Sequence, residues 1–281
     1  MESLSSKLTI VILTKDEALH LPRCLDAIPP RYPVLVLDSG SSDGTLDIAE
    51  ARGCLIARNP WPGFAAQRNF ALEHCGVCSP WVLFIDADEC YPQAFFDWFE
   101  EKVAEDERID AAMVPSILYL RGQRLRYAPG YPILHPRLVR TGRVRFLTNH
   151  TGHGESIAQR CRVITCPVPY EHHFYNGELI AWMHKHVDKA ALEVDLKPTA
   201  GARLTHRGRL SVWLGRSLWR IPARFLYHFV VRGGLLDGFA GLEFALMFTW
   251  YEATIYVQAR TAAGARSIHA KESNRWQEIP R

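Results

Sequence analysis

The chain has 281 residues, 48% of them hydrophobic and 22% charged, with a net charge of +3. These proportions belong to a folded soluble protein and exclude a disordered chain or one made mainly of membrane spans. The length allows one large domain with an appendage, or two smaller domains.

The N-terminus, Met1-Glu2-Ser3-Leu4-Ser5-Ser6, has no basic stretch ahead of a long apolar run, so no signal peptide is expected. Leu8–Leu13 reads as a continuous apolar strand and Glu17–Ile28 as a short helix ended by Pro29-Pro30. A second strand, Val34–Leu37, ends at Asp38 and is followed by the turn Ser39-Gly40-Ser41-Ser42-Asp43-Gly44. Thr45–Arg52 is helical and closed by Gly53, Cys54–Ala57 is a third strand, and Gly63–His74 is a helix. Trp81–Ile85, rich in β-branched and aromatic residues, is a fourth strand that stops abruptly at Asp86-Ala87-Asp88-Glu89. Another helix begins near Pro92.

Strand and helix signals in alternation imply an α/β fold, a mainly parallel sheet covered by helices. Right-handed crossovers place the ends of the first, second and fourth strands along one edge, where Thr14, Asp38, Asp86 and Asp88 lie. Ligands of open α/β sheets bind outside those ends. Two carboxylates there suit a hard divalent cation that takes its other ligands from water and phosphate; the alternative is that they cap the next helix.

Between Ala111 and about Pro169 the pattern changes to short strand-like pieces, Met113–Leu120, Arg124–Ala128, Arg137–Arg140 and Val163–Cys166, separated by turns. This is antiparallel elaboration of the sheet. Helices return over Gly177–Asp195. The expected organisation is an α/β half at 1–110, an elaborated half at 111–195 and a basic helical region at 196–281.

Seven cysteines at irregular spacing fit reduced thiols of a cytosolic protein. Cys75-Gly76-Val77-Cys78 has C-x-x-C spacing, but Cys161 and Cys166 do not complete a usual zinc pattern, so small buried thiols are expected. Charge is uneven. Between Asp195 and Asp237 there is no acidic residue, whereas Lys197, Arg203, Arg207, Arg209, Arg216, Arg220, Arg224 and Arg232 fall in that window. On a helical wheel Arg209, Trp213, Arg216, Arg220 and Arg224 share a narrow sector, with Pro222 expected to kink the helix. Such a face suits an anionic bilayer surface; the alternatives are a solvated helix face or a grip on substrate phosphate. Phe239–Ala259 is apolar, but Glu243, Glu252 and Gln258 favour a buried or interfacial helix over a membrane span.

Four ordered motifs carry a resemblance. Thr14-Lys15-Asp16-Glu17, Val36-Leu37-Asp38-Ser39-Gly40-Ser41-Ser42-Asp43-Gly44-Thr45, Gly63-Phe64-Ala65-Ala66-Gln67-Arg68-Asn69 and Asp86-Ala87-Asp88-Glu89 resemble family 2 glycosyltransferases, in particular a lipopolysaccharide-core β-1,4-glucosyltransferase-like branch. The family's His-Glu element is similar to His153-Gly154-Glu155, with a glycine inserted; its later histidine and lysine-bearing helix match His173 and Lys185. Its Gly-Phe-Leu-Asp-Gly element matches Gly234-Leu235-Leu236-Asp237-Gly238.

The resemblance implies a GT-A fold and inverting transfer from a nucleoside-diphosphate sugar, most often a UDP-sugar, assisted by Mg²⁺ or Mn²⁺. It also implies that the half at 1–110 binds the nucleotide sugar and the half at 111–195 the acceptor. The nucleotide and its phosphates would then fall to Thr14, Lys15, Glu17, Asp38, Ser41, Gln67, Arg68, Asn69, Asp86 and Ala87, with Arg68 beside the pyrophosphate. Ser41, Asp43 and Gly44 have a second reading as turn and helix cap. The metal would fall to Asp88 and His173. An acceptor hydroxyl needs a carboxylate base; the His-Glu match assigns this to Glu155, with Glu171 in reserve and Asp188 behind it. The expected acceptor is a lipid-linked or phosphorylated glycan such as lipopolysaccharide core, handled by a cytoplasmic protein peripheral to the inner face of the cell membrane. Two rivals are a sugar-nucleotide nucleotidylyltransferase and a silent sugar-nucleotide or membrane-binding module. The first wants a Gly-rich loop after the first strand, which Thr14-Lys15-Asp16-Glu17 is not. No nucleic-acid-binding motif surrounds the arginines.

Overall fold

The computed structural model describes residues 6–148, 155–158, 160–175, 178–195 and 217–277, with side chains described except at 148, 155, 192–193, 195 and 262–277. Two compact units divide the chain, residues 1–126 with 130–176 and residues 127–129 with 177–281.

In the first unit, β1 (Leu8–Thr14), β2 (Val34–Asp38), β3 (Leu55–Arg58) and β4 (Trp81–Asp86) alternate with α1 (Leu21–Asp26), α2 (Thr45–Ala51) and α3 (Phe64–His74). They form the parallel part of the sheet in the order β3-β2-β1-β4. β1 and β4 are mainly apolar, with Thr9 as the interior polar exception and Thr14 and Asp86 at their ends, because both their faces are covered, as in α/β sheets generally. One face packs on α1 and on α4 (Gln93–Lys102) through Leu21, Phe95, Phe96 and Phe99. The other packs on α3 through Ala65 and Ala71. The registers Thr14↔Asp38 and Leu13↔Asp86 bring the three strand ends together. α1 is shorter than its sequence pattern: Pro22 occupies the first helical turn, where its missing N–H costs nothing, and Glu17–His20 form a turn instead.

Beyond β4 the sheet continues as β8 (Ile133–Arg140), β6 (Ala111–Leu120), β12 (Tyr170–Tyr175) and the two-residue β5 (Glu89–Cys90). β8 is antiparallel to β4 and β6, whereas β6 and β12 are parallel. β7 (Gln123–Arg124) and β11 (Val163–Thr165) also pair with β6, and β9 (Phe146–Thr148) and β10 (Glu155–Ile157) form a separate hairpin. The expected antiparallel elaboration holds for β8 against β4 and β6 and for β7 against β6, but β11 and β12 pair with β6 in parallel. Its strands are longer or shorter than the sequence pieces because pairing partners, not local runs, decide where they end.

The second unit is helical: α5 (Leu179–Asp195), α6 (Arg220–Leu226), a π-helical turn (Tyr227–Val231), a 3-10 turn (Gly234–Asp237) and the long α7 (Gly238–Gln277). α5 packs on α7 through Ala190, Val194, Tyr251 and Ile255. Pro222 lies in the first turn of α6 and starts the helix rather than kinking it. The arginine face is corrected here. Arg220 and Arg224 turn inward onto Glu252 of α7, at 2.6 and 3.0 Å. Glu252 is buried, and a buried carboxylate needs such partners. Arg209, Trp213 and Arg216 lie outside the described residues. Among those described, no helix is long and apolar enough to cross a membrane.

Candidate active site

The loops after β1 and β2 are laced together. Asp38 is buried, and its carboxylate accepts from the N–H groups of Gly40 and Ser41 (2.8 and 2.9 Å), the Ser41 hydroxyl and the Thr14 hydroxyl (3.1 Å). Burial opposes its ionisation, but the Ser41, Gly40 and Thr14 donors outweigh burial and hold the carboxyl below the ordinary range. Asp16, at a positive φ of 53°, accepts from the N–H of Ser42 (2.7 Å), while its own N–H donates to the Ser41 hydroxyl (2.8 Å). Asp43 accepts from the N–H of Ala18 (3.0 Å), and the Lys15 ammonium donates to the Gly40 carbonyl. The Glu17 carboxylate meets His20 Nδ1 at 2.7 Å. Asp38 and Ser41 thus shape the turn that follows β2. Glycine is needed at position 40, where φ is +93°.

α3 supplies three buried polar side chains with different tasks. Gln67 ties the ends of β2 and β3 together, donating to the Ser39 hydroxyl (3.1 Å) and accepting from Asn59 (2.7 Å). Asn69 exchanges two hydrogen bonds with the backbone of Phe146, each 2.9 Å, and so pins the start of β9. Arg68 is buried rather than exposed at the strand ends. Its guanidinium is 0% exposed and lies under Asp86, donating Nη2 to Oδ1 at 3.1 Å. The correction has a simple cause: the helix turns position 68 toward the sheet, among Phe64, Phe84 and Phe146.

A second guanidinium, Arg137 of β8, completes this base. Its Nη2 donates to Asp86 Oδ2 at 2.6 Å and also to Glu89 Oε1. Glu89 is fully buried; burial first, then the charges of Asp86 and Asp88, push its carboxyl well above the ordinary range. Asp86 is therefore clamped by two arginines. Asp88 stands above them, partly exposed, with His172 Nε2 3.3 Å from its Oδ2. Ala87 between them is buried.

His173 behaves differently from its neighbour. Its backbone N–H donates to the Asp88 carbonyl (2.9 Å), but its ring turns away, stacks on Tyr119 (centroids 4.8 Å apart) and puts Nε2 3.1 Å from Glu171 Oε2. Burial pushes its pKa below the ordinary value against the pull of Glu171. Glu171 also accepts from the Tyr119 hydroxyl at 3.1 Å. His135 of β8, near Tyr170 and His172, is driven down to about 4, first by burial and then by His172 and Arg68. Glu155 opens β10 opposite Thr148 of β9; its side chain, like His153 and Gly154, lies outside the described residues.

A metal fits Asp88 and His172. Two ligands at right angles, each about 2.1 Å from one ion, stand ~3.0 Å apart, close to the 3.3 Å found here. An oxygen with an imidazole nitrogen favours Mn²⁺ over Mg²⁺. Among the described residues no cluster of three or more His, Cys, Asp or Glu is arranged around a metal.

The comparisons with known proteins bear on this edge of the sheet. The family model described as Glycosyl transferase family 2 matches residues 9–166, more than half of the chain and all of the strand-end motifs. The chain belongs to glycosyl transferase family 2. Lipopolysaccharide core biosynthesis glycosyltransferase LpsC of Rhizobium meliloti (strain 1021) is 31% identical over 144 residues, 50% of this chain and 53% of LpsC. An uncharacterized glycosyltransferase of Rickettsia conorii is 38% identical over 89 residues, 31% of each chain. The chain thus spans about half or less of the curated relatives it matches. A solved glucosyl-3-phosphoglycerate synthase of Mycobacterium tuberculosis, in complex with Mn²⁺, UDP and glucosyl-3-phosphoglycerate, is 24% identical over 40% of this chain and 44% of that one. Its TM-score of 0.34 is too low to carry an argument.

Within this family 2 domain the structure places two residues at the strand ends beyond those expected from the sequence: Arg137 against Asp86, and His172, rather than His173, beside Asp88. For the first the available signal was an arginine directly ahead of the apolar pair Leu138-Val139 in the strand-like piece Arg137–Arg140. Strand alternation was the signal for the second, since adjacent residues of β12 point to opposite faces.

Proposed function

We propose that the protein transfers a sugar, with inversion, from a UDP-sugar to a lipid-linked or phosphorylated glycan acceptor. The observation that carries this reading is the Asp88–His172 pair, poised at the carboxyl end of β4 over an Asp86 fixed by Arg68 and Arg137. Asp88 and His172 hold the divalent ion, and Asp86, neutralised by its arginines, is directed at the ribose. A bound Mn²⁺ or Mg²⁺ supplies Lewis acidity to the departing diphosphate.

The laced loops of Thr14–Glu17 and Asp38–Ser41 form the wall that receives the base. Lys15, bonded to the Gly40 carbonyl and 3.3 Å from Asp16, joins the two loops. Gln67, Arg68 and Asn69 are positioning residues. Glu155 takes the proton from the acceptor hydroxyl; supporting this, Glu171 is already engaged by Tyr119 and His173. The family resemblance supports UDP, and the partial likeness to LpsC supports an acceptor of the lipopolysaccharide-core class at the inner face of the cell membrane.

The test is calorimetry of nucleoside diphosphates with and without Mn²⁺. UDP should bind, with Mn²⁺ raising its affinity. A chain that binds no nucleoside diphosphate in either condition would overturn the reading. Binding without turnover of any UDP-sugar over a panel of glycolipid acceptors would favour the silent module instead.

A further inference from the structure

Beside its apolar core of Ala190, Val194, Tyr251 and Ile255, the second unit buries charge and exposes apolar groups along one helical run. Arg220 and Arg224 are drawn onto Glu252, and His228 is buried with Nδ1 2.9 Å from the Ala128 carbonyl. The outward side of the same helical run carries Trp219, Pro222, Leu226 and Val230, a spacing of three to four residues that forms one stripe. Trp219 is 75% exposed. The stripe continues past the turn into Val231, Leu235, Leu236 and Phe239, the last 73% exposed.

These residues are held outward by the fold. The Asp237 carboxylate accepts from the N–H groups of Tyr127 and Ala128, at 2.9 and 2.8 Å, and locks the 3-10 turn. Gly241 packs so closely on that turn that a Cβ there would sit 1.9 Å from the Gly234 carbonyl oxygen. The apolar tip therefore cannot collapse onto its own unit without breaking both contacts.

We infer that this tip, Trp219 to Phe239, inserts into the interfacial layer of an anionic lipid bilayer. Charge chooses the occupant. With Arg220 and Arg224 spent on Glu252, Lys197, Arg203, Arg207, Arg209, Arg216 and Arg232 remain in a window without a single acidic residue. Anionic lipid attracts such a segment, and an exposed tryptophan among aliphatic residues and arginine is the composition of an interfacial anchor. A second copy of the chain would bring like charge against like charge. The contact lies in the plane of the interface, since no described helix can span. This deepens the acceptor reading, because a lipid-linked glycan is found where the tip docks.

The experiment needs no sugar donor, so its failure would leave the transferase reading standing. The full chain is co-sedimented with vesicles of phosphatidylethanolamine and phosphatidylglycerol, and with phosphatidylcholine alone, beside the variant Leu235→Gln/Leu236→Gln/Phe239→Gln. Wild type should pellet with the anionic vesicles, and the variant should lose about tenfold or more of that partition at unchanged Tm. If the triple variant does not fold, Trp219→Gln and Phe239→Gln singly should each cost about threefold. Wild type that stays in solution, or variants that pellet like wild type, would overturn the inference. So would a stable dimer that the substitutions split while no form binds vesicles.

Discussion

Arg137 donates to Asp86 at 2.6 Å from a side chain that is itself buried, and the same nitrogen serves Glu89. One guanidinium thus ties the first carboxylate of the strand-end pair to a fully buried carboxyl beneath it. Removing one partner of such a group leaves uncompensated charge in a poorly solvated place. Arg137→Met should cost about 3–5 kcal/mol of stability in urea unfolding. An unchanged unfolding midpoint would mean that the clamp is not a stabilising element. Arg137→Lys restores charge but not the planar, weakly hydrated guanidinium, and should recover only part of the loss.

The metal assignment separates two adjacent histidines. Asp88→Asn and His172→Ala should each weaken the Mn²⁺-dependent part of UDP binding by about tenfold or more, because each removes a ligand from a sparsely provided ion. His173→Ala should leave that part nearly intact, since its ring is spent on Glu171 and Tyr119. Calorimetry in matched buffers decides it. A larger loss in His173→Ala than in His172→Ala would return the ligand to position 173.

These two residues also mark where sequence reading stops. The parallel strands and their terminal motifs are legible because each is local: an apolar run, then Asp38 or Asp86, then a turn. The resemblance singled out His173 without a strand around it, whereas β12 runs through both His172 and His173, and one step along a strand changes the face. Arg137 reaches Asp86 only through the antiparallel pairing of β4 with β8, at a separation of 51 residues. Helical periodicity placed Arg220 and Arg224 on one face correctly, but only the partner Glu252, contributed by a distant helix, decides that the face turns inward. Arg68 is the same case. Its place on α3 was readable, and its burial beneath Asp86 belongs to the tertiary structure.

His135 gives a pH signature. Unfolded, it takes a proton near its ordinary 6.5; folded, burial holds protonation off until about 4. Between those values the unfolded state binds more protons, so stability must fall as pH falls from 6.5 toward 4. Buried His173, also shifted downward, adds to the same slope. His135→Gln should therefore flatten, but not abolish, the loss of unfolding free energy between pH 7 and pH 4.5. A variant whose loss over that range equals that of wild type would show that His135 is charged or exposed in the native state.

The base is separated from its rival by function rather than position. Asn69 holds the backbone of Phe146 at the start of β9, and β9 pairs with β10, which Glu155 opens. α3 therefore fixes the hairpin that carries Glu155, while Glu171 sits on β12, hydrogen-bonded to Tyr119 and His173. If Glu155 accepts the acceptor's proton, Glu155→Gln should lower kcat by about 10²–10⁴ with donor KM nearly unchanged. Glu171→Gln keeps the acceptor oxygen that Tyr119 needs and should lower kcat by less than about tenfold. Asn69→Ala loses two buried hydrogen bonds and should cost about 2 kcal/mol of stability. It should also lower kcat, without changing UDP affinity, because the hairpin shifts while the nucleotide wall does not. Steady-state transfer from a UDP-sugar, with UDP binding measured on the same variants, reads all three. Near-normal turnover in Glu155→Gln together with collapse in Glu171→Gln would move the base to β12. It would also make Tyr119 and His173 its positioning residues, and Asn69→Ala would then lose stability without losing kcat.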